Sequence, residues 1–193
     1  MERGSMSAFD HKLALHCAPT LAGVKPANLI SLGWEEWEAM RQGIARSGRT
    51  FVGRQIFFRR LACCQRRVLL LVYRRDLLAK RLALPENRRI LERYGYAPQE
   101  RLGAQLARLA ARIAQSEGFP HEIGVFLGYP PEDVLGFIRH GGKNHRLCGC
   151  WKVYGNPAEA KKLFSVYEHA RCFFCQQVLG GEEIQNIQYG GIA

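Results

Sequence analysis

The 193-residue chain lacks any apolar run approaching the roughly 18–20 residues of a membrane span. Nor does a basic start lead into an apolar h-region, so a secretory signal is not expected. It has no internal repeat, no low-complexity tract and no P-loop glycine spacing, which sets aside solenoids, linkers and Walker-type nucleotide binding. Acid is scarce, with Asp+Glu 17 against Lys+Arg 28 and a net charge of +11. Hydrophobic residues at 47% and charged residues at 23% exclude intrinsic disorder and collagen-like sequence. The length suits one domain with a core that needs neither disulfide nor metal. Residues 1–8 are read as a start extension and 9–193 as a single α/β domain.

Seven cysteines, an odd number without a signal, fit a reducing cytoplasmic compartment. The charge is concentrated. From Arg41 to Arg112 the chain carries +14, nearly all of it arginine, and the remainder carries −3. A basic segment of this kind attracts phosphates, nucleic acid or an acidic partner. It also suits the solvated faces of helices, and no nucleic-acid-binding fingerprint such as that of an RRM or a zinc finger accompanies it.

Patterning predicts strands over 13–18, 51–64, 67–73, 123–129 and 147–154. The run Val68 to Val72 is apolar throughout, as in a central strand. Helices are expected over 35–45, 76–82, 86–94, 99–115, 130–140 and 157–179. In the fourth of these, Leu102, Leu106, Leu109 and Ile113 form the buried stripe, with Arg101, Gln105, Arg108 and Arg112 beside it. Gly48 is expected to stop the first helix, Gly118-Phe119-Pro120 to break the chain, and 180–193 to hold a short edge strand. The sum is a mixed α/β (α+β) fold with a central mixed sheet flanked by helices.

Three blocks carry a family resemblance. His16-Cys17-Ala18-Pro19-Thr20-Leu21-Ala22-Gly23-Val24-Lys25-Pro26-Ala27-Asn28-Leu29 is the first. The second runs from Phe119 to Tyr129-Pro130, then Glu132-Asp133-Val134 and Gly136-Phe137-Ile138. The third comprises Gly142-Lys143-Asn144, Cys148-Gly149 and Trp151-Lys152-Val153-Tyr154-Gly155. Together they resemble a bacterial domain-of-unknown-function family (three-seven-nine-three), over nearly the whole chain from about Phe9 to Leu179. The resemblance implies no activity. Cys150 stands where the family usually has tyrosine and Asn156 where it has an acid, which argues against a family-wide metal site at Cys150.

Several positions carry reactive chemistry. Cys17, at a predicted strand end beside Lys25 and His16, is a candidate nucleophile, because nearby cations favour the thiolate; a buried cysteine packing under the turn is the alternative. His121 and Glu122 are candidates for acid–base work, with Glu122 alternatively paired to an arginine of the basic segment. Lys25, Asn28, Lys143, Asn144, Trp151, Lys152 and Tyr154 are candidate ligand contacts around one cleft, supplying charge, orienting donors and flat stacking surface. Cys148, Cys150, Cys172 and Cys175 could meet on zinc or an iron–sulfur cluster, although Phe173 and Phe174 prolong a helix where a knuckle needs a turn. Cys63 and Cys64, adjacent in a strand, are expected to be core or edge filler.

The leading expectation is therefore a cytoplasmic protein holding a small anionic ligand or cofactor in a cleft with a reactive thiol. A nucleic-acid-binding module using residues 41–112, and a protein handling metal, haem or a cluster through Cys and His, are the alternatives. The cofactor is unknown, catalysis is left open, a membrane partner is not expected, and a homodimer is admissible.

Overall fold

The computed structural model describes residues 7–64, 66–115 and 119–190. The expectations for the first six residues, for Gly118 and for 191–193 lie outside them. The chain divides into two compact units, one formed by Met1–Arg75 with Ser165–Ala193 and the other by Asp76–Phe164.

The first unit opens with helix α1 (Ala8–Leu21), capped by the Ser7 hydroxyl accepting from the Asp10 amide at 3.0 Å. The expected strand over 13–18 is thus a correction. A run of six residues that is apolar but for His16 fits a buried helix as well as a strand. Burial of Phe9, Leu13, Ala14, Cys17, Ala18 and Leu21 follows the 3.6-residue period. Pro19 does not end the helix but sits inside its last turn, and its carbonyl accepts from the Val24 and Lys25 amides at 3.0 and 3.1 Å.

Strand β1 (Ala27–Leu32) follows, then helix α2 (Trp34–Gly53). Glu36 reaches back from the first turn of α2 to the Gly33 amide at 2.7 Å and pairs with Lys12. Gly48 lies within α2 rather than ending it. Strands β2 (Ile56–Cys63) and β3 (Val68–Arg74) form the hairpin read from the sequence, with a register shift between Arg60 and Ala62. β3 is the central strand of an antiparallel sheet ordered β1-β3-β2. Its Val68, Leu70, Leu71 and Val72 are all buried, as a continuous apolar run requires.

In the second unit, helices α3 (Arg75–Ala83), α4 (Pro85–Glu92), α5 (Leu102–Gln115) and α7 (Pro131–His140) fall close to their expected places. Between the last two, Ile123–Phe126 forms the short helix α6, not the expected strand. The third block's strand resolves into a hairpin of two short strands, β4 (Leu147–Cys148) and β5 (Lys152–Val153). Helix α8 (Pro157–Leu179) begins in this unit and ends in the first, its start capped by Asn156 accepting from the Ala158 amide at 3.0 Å.

Within the first unit the core joins Leu13, Cys17 and Leu21 of α1 to Phe51, Leu70, Val72, Phe174 and Val178. Residues 180–190 carry no strand. The fold is mixed α and β, with eight helices among the described residues beside a three-stranded and a two-stranded sheet.

Candidate functional site

A concavity in the second unit has a volume of about 360 Å³, within the range of small-molecule sites. Its floor comes from α6 and α7, through Ile123, Gly124, Val134 and Phe137. The helices approach closely at Gly124, where a Cβ would lie 2.9 Å from Val134. Trp151 and Lys152 of the hairpin form one wall, and Phe119, Pro120 and His121 form the rim.

Asp133 fixes this arrangement. It is 3% exposed, at the start of α7, and accepts from the Trp151 indole N–H at 2.7 Å with one carboxylate oxygen. The other oxygen accepts from the Tyr154 and Gly155 amides at 2.7 and 2.8 Å. One side chain therefore sutures helix to hairpin and holds the indole at a fixed angle. Tyr129 stacks on the same indole at 5.0 Å, and Phe164 meets it edge-on at 4.6 Å. Burial, reinforced by Cys150, pushes the Tyr129 hydroxyl up to about 12, so it stays a neutral donor.

Two basic groups meet this apolar surface. The Lys152 ammonium donates to the Gly142 carbonyl at 2.7 Å and lies 6.0 Å from the centre of the Phe137 ring. Gly142 has φ of +82°, which suits glycine. His121 is exposed and packs edge-on against Phe137 at 5.0 Å. The cavity thus offers rigid aromatic walls, a buried carboxylate already saturated by N–H donors, and an ammonium anchored by a backbone carbonyl.

Of the residues singled out from the sequence, the structure brings His121, Trp151 and Lys152 together at this cavity. Lys143 and Asn144 lie on the exposed turn after α7, away from its lining. Tyr154 stacks on His140 at 5.6 Å instead, and its buried hydroxyl has no hydrogen-bond partner. Glu122 turns away from His121 into the unit's interior, where it is fully buried against Arg112 and accepts weakly from the Tyr96 hydroxyl at 3.4 Å. Burial, then the Glu122 charge, raises the Tyr96 hydroxyl well above its usual value. That is the pairing with an arginine of the basic segment.

Asp133, Phe137 and Tyr129 are among the cavity residues that were not candidates from the sequence. Asp133 was legible only as an acid in a helix's first turn, where the dipole explains it. Its spacing to Trp151 carries no local signal.

In the first unit, Cys17 belongs to α1 and is 0% exposed. Burial pushes its thiol up to about 12; Lys25 acts in the opposite direction, and burial wins. A thiol so placed is protonated at neutral pH, the reverse of what a nucleophile needs. Lys25 is itself buried, 5.6 Å from the Tyr167 ring centre, and Asn28 accepts from the Thr20 hydroxyl at 2.6 Å.

The remaining expectations concern cysteine and arginine. Cys148, Cys150 and Cys172 are exposed and Cys175 is partly buried. Among the described residues no group of three or more His, Cys, Asp or Glu side chains is placed to hold a metal ion. Cys63 and Cys64, expected to be core or edge filler, are both exposed, which excludes the core, and Cys63 ends the edge strand β2. The arginine ridge on α5 is largely engaged, Arg108 with Glu100 at 2.8 Å and Arg112 with Glu122. Elsewhere in the basic segment, Arg54 donates to the Gln185 carbonyl, Arg67 to Ser31 and Arg81 to the Tyr129 carbonyl. No described helix is long and apolar enough to cross a membrane.

Comparison with curated proteins and with solved structures finds no match to either. A family model does match, over residues 13–188, and takes in all three sequence blocks. The chain belongs to the family described as protein of unknown function DUF3793.

Proposed function

We propose that this protein binds a small, largely apolar ligand carrying an anionic group in the cavity between α6, α7 and the β4–β5 hairpin. The single observation behind the reading is a cavity of about 360 Å³ with aromatic walls and one ammonium, Lys152, anchored at its edge. Apolar surface supplies the affinity, and a charge-assisted contact to Lys152 orients the ligand. Asp133 does not repel the anion strongly, because three N–H donors already stabilise its carboxylate.

The test uses 2-naphthoate and its neutral counterpart 2-naphthamide, titrated calorimetrically into the wild type and Lys152→Met. In the wild type the acid should bind roughly tenfold tighter than the amide, as one charge-assisted hydrogen bond worth ~1.5–3 kcal/mol allows. In Lys152→Met that preference should vanish while the amide's affinity is kept. Equal binding of acid and amide by the wild type, or binding of neither, would refute the reading.

A further inference from the structure

A second hollow in the unit Asp76–Phe164 shares no lining residue with the cavity described above. It lies where α3, α4 and the start of α5 meet, and its volume is about 100 Å³. Leu82, Pro98 and Leu102 supply apolar walls, and Arg88, Glu100 and Gln105 supply polar ones. Because a cavity of about 150 Å³ takes benzene, this smaller one suits a molecule of about five or six heavy atoms.

Its three polar groups lack complete partners. Gln105 is 8% exposed, and its side-chain amide makes no hydrogen bond with a described residue. Glu100 accepts from Arg108 at 2.8 Å through Oε1, while its Oε2 is buried with no hydrogen-bond partner. The Arg108 guanidinium, and more weakly the Ala97 amide, hold this carboxyl below its ordinary value, so it is charged at neutral pH. Arg88 is exposed, and its guanidinium pairs neither with Glu100 nor with another described residue. Buried polar groups in folded proteins are nearly always hydrogen-bonded. An idle amide, an orphaned carboxylate oxygen and an uncommitted guanidinium around one hollow therefore describe the shape of a missing partner.

We propose that the pocket between α3, α4 and α5 binds a small zwitterion, a free α-amino acid of the size of glycine or alanine. The ligand's ammonium donates to Glu100 Oε2 and to the Gln105 carbonyl oxygen. Its carboxylate accepts from the Arg88 guanidinium, in the paired geometry that arginine favours. The walls of Leu82, Pro98 and Leu102 leave room for a methyl side chain and little more. A lone anion would leave Glu100 Oε2 without a donor and face its charge. A lone cation would leave Arg88 unanswered and meet the repulsion of two guanidinium groups. Opposite charges held apart in one pocket select a molecule that carries both.

The experiment titrates the isotopically labelled full chain with L-alanine, propionate, ethylamine and L-phenylalanine, following backbone amide shifts in α4 and α5 by NMR. L-Alanine should give saturable shifts there. Propionate and ethylamine, each lacking one charged end, should bind roughly tenfold weaker or less well still, as loss of a charge-assisted contact requires. L-Phenylalanine should give no saturable shift. Arg88→Met, at an exposed position, should weaken L-alanine about tenfold. Gln105→Leu should weaken it too while keeping or raising the unliganded Tm, since no internal hydrogen bond is lost. Absence of saturable shifts with L-alanine, or equal binding of propionate or ethylamine, would overturn the proposal. So would unchanged L-alanine affinity in either variant, or a fall in the unliganded Tm of Gln105→Leu, which would reveal an internal partner for the amide. Tight binding of L-phenylalanine would overturn the size limit.

Discussion

The suture made by Asp133 gives the sharpest quantitative expectation. Its carboxylate accepts from the Trp151 indole and from the Tyr154 and Gly155 amides, all at 2.7–2.8 Å, in a side chain 3% exposed. In Asp133→Ala three donors lose their acceptor. Each orphaned buried donor costs about 1–3 kcal/mol, and with partial relief by water the loss should be about 3–5 kcal/mol. Asp133→Asn is more informative. Its carbonyl oxygen can still serve both amides, but its NH2 group then faces the indole N–H, so one bond and the charge are lost. The expected cost is about 2 kcal/mol, or roughly 4–8 °C in Tm for a chain of this size. Trp151→Phe removes the indole donor, so Asp133→Asn should cost about 1–2 kcal/mol less in that background. Urea unfolding followed by circular dichroism measures all four corners of the cycle. Additive effects, or an Asp133→Asn variant as stable as the wild type, would show that the carboxylate does not hold the hairpin in place.

Cys17 gives an alkaline signature. Its thiol rises from an ordinary 9.0 to about 12 in the folded protein, so above pH 9 the unfolded chain releases a proton that the folded chain keeps. Stability from this group is complete below pH 9 and falls as pH rises towards 12; Cys17→Ala should flatten that fall in urea titrations. Iodoacetamide should likewise modify Cys17 only after unfolding, and prompt labelling of the native chain would refute its burial. Two glycines of α2 should respond with opposite signs. A Cβ on Gly43 would lie 2.2 Å from the Phe9 ring, whereas one on Gly48 meets nothing within 4 Å. Gly48→Ala should gain about 0.5–1 kcal/mol through helix propensity, while Gly43→Ala should lose about 1–3 kcal/mol through overpacking. Thermal unfolding compares them.

The helices with clear amphipathic periods and good caps were legible, among them α5, α7 and the Asn156-capped α8. So was the β2–β3 hairpin. α1 and α6 were not. Leu13 to Ala18 (His16 aside) and Ile123 to Tyr129 are short apolar runs, and such runs suit a buried helix and a buried strand alike until a partner surface is known. Gly48 misled for a related reason, since a glycine inside a helix costs only about 1 kcal/mol and neighbouring turns can carry it.

For the candidate site, residue chemistry was readable and placement was not. His121, Trp151 and Lys152 drew notice as reactive or stacking types. Asp133 became meaningful only when its carboxylate met an indole and two amides from a distant segment. Among the thiols, composition favoured Cys17 because cations flank it in sequence, but desolvation is a property of the packed interior and reverses that ranking. By itself, then, the sequence determined the mixed α/β class, the family and most helix positions, because these follow from local periodicity, capping and ordered motifs. Which side chains share a cavity, and which sulfur meets solvent, was decided by tertiary packing, because burial and hydrogen-bond partnership depend on contacts between residues far apart in the chain.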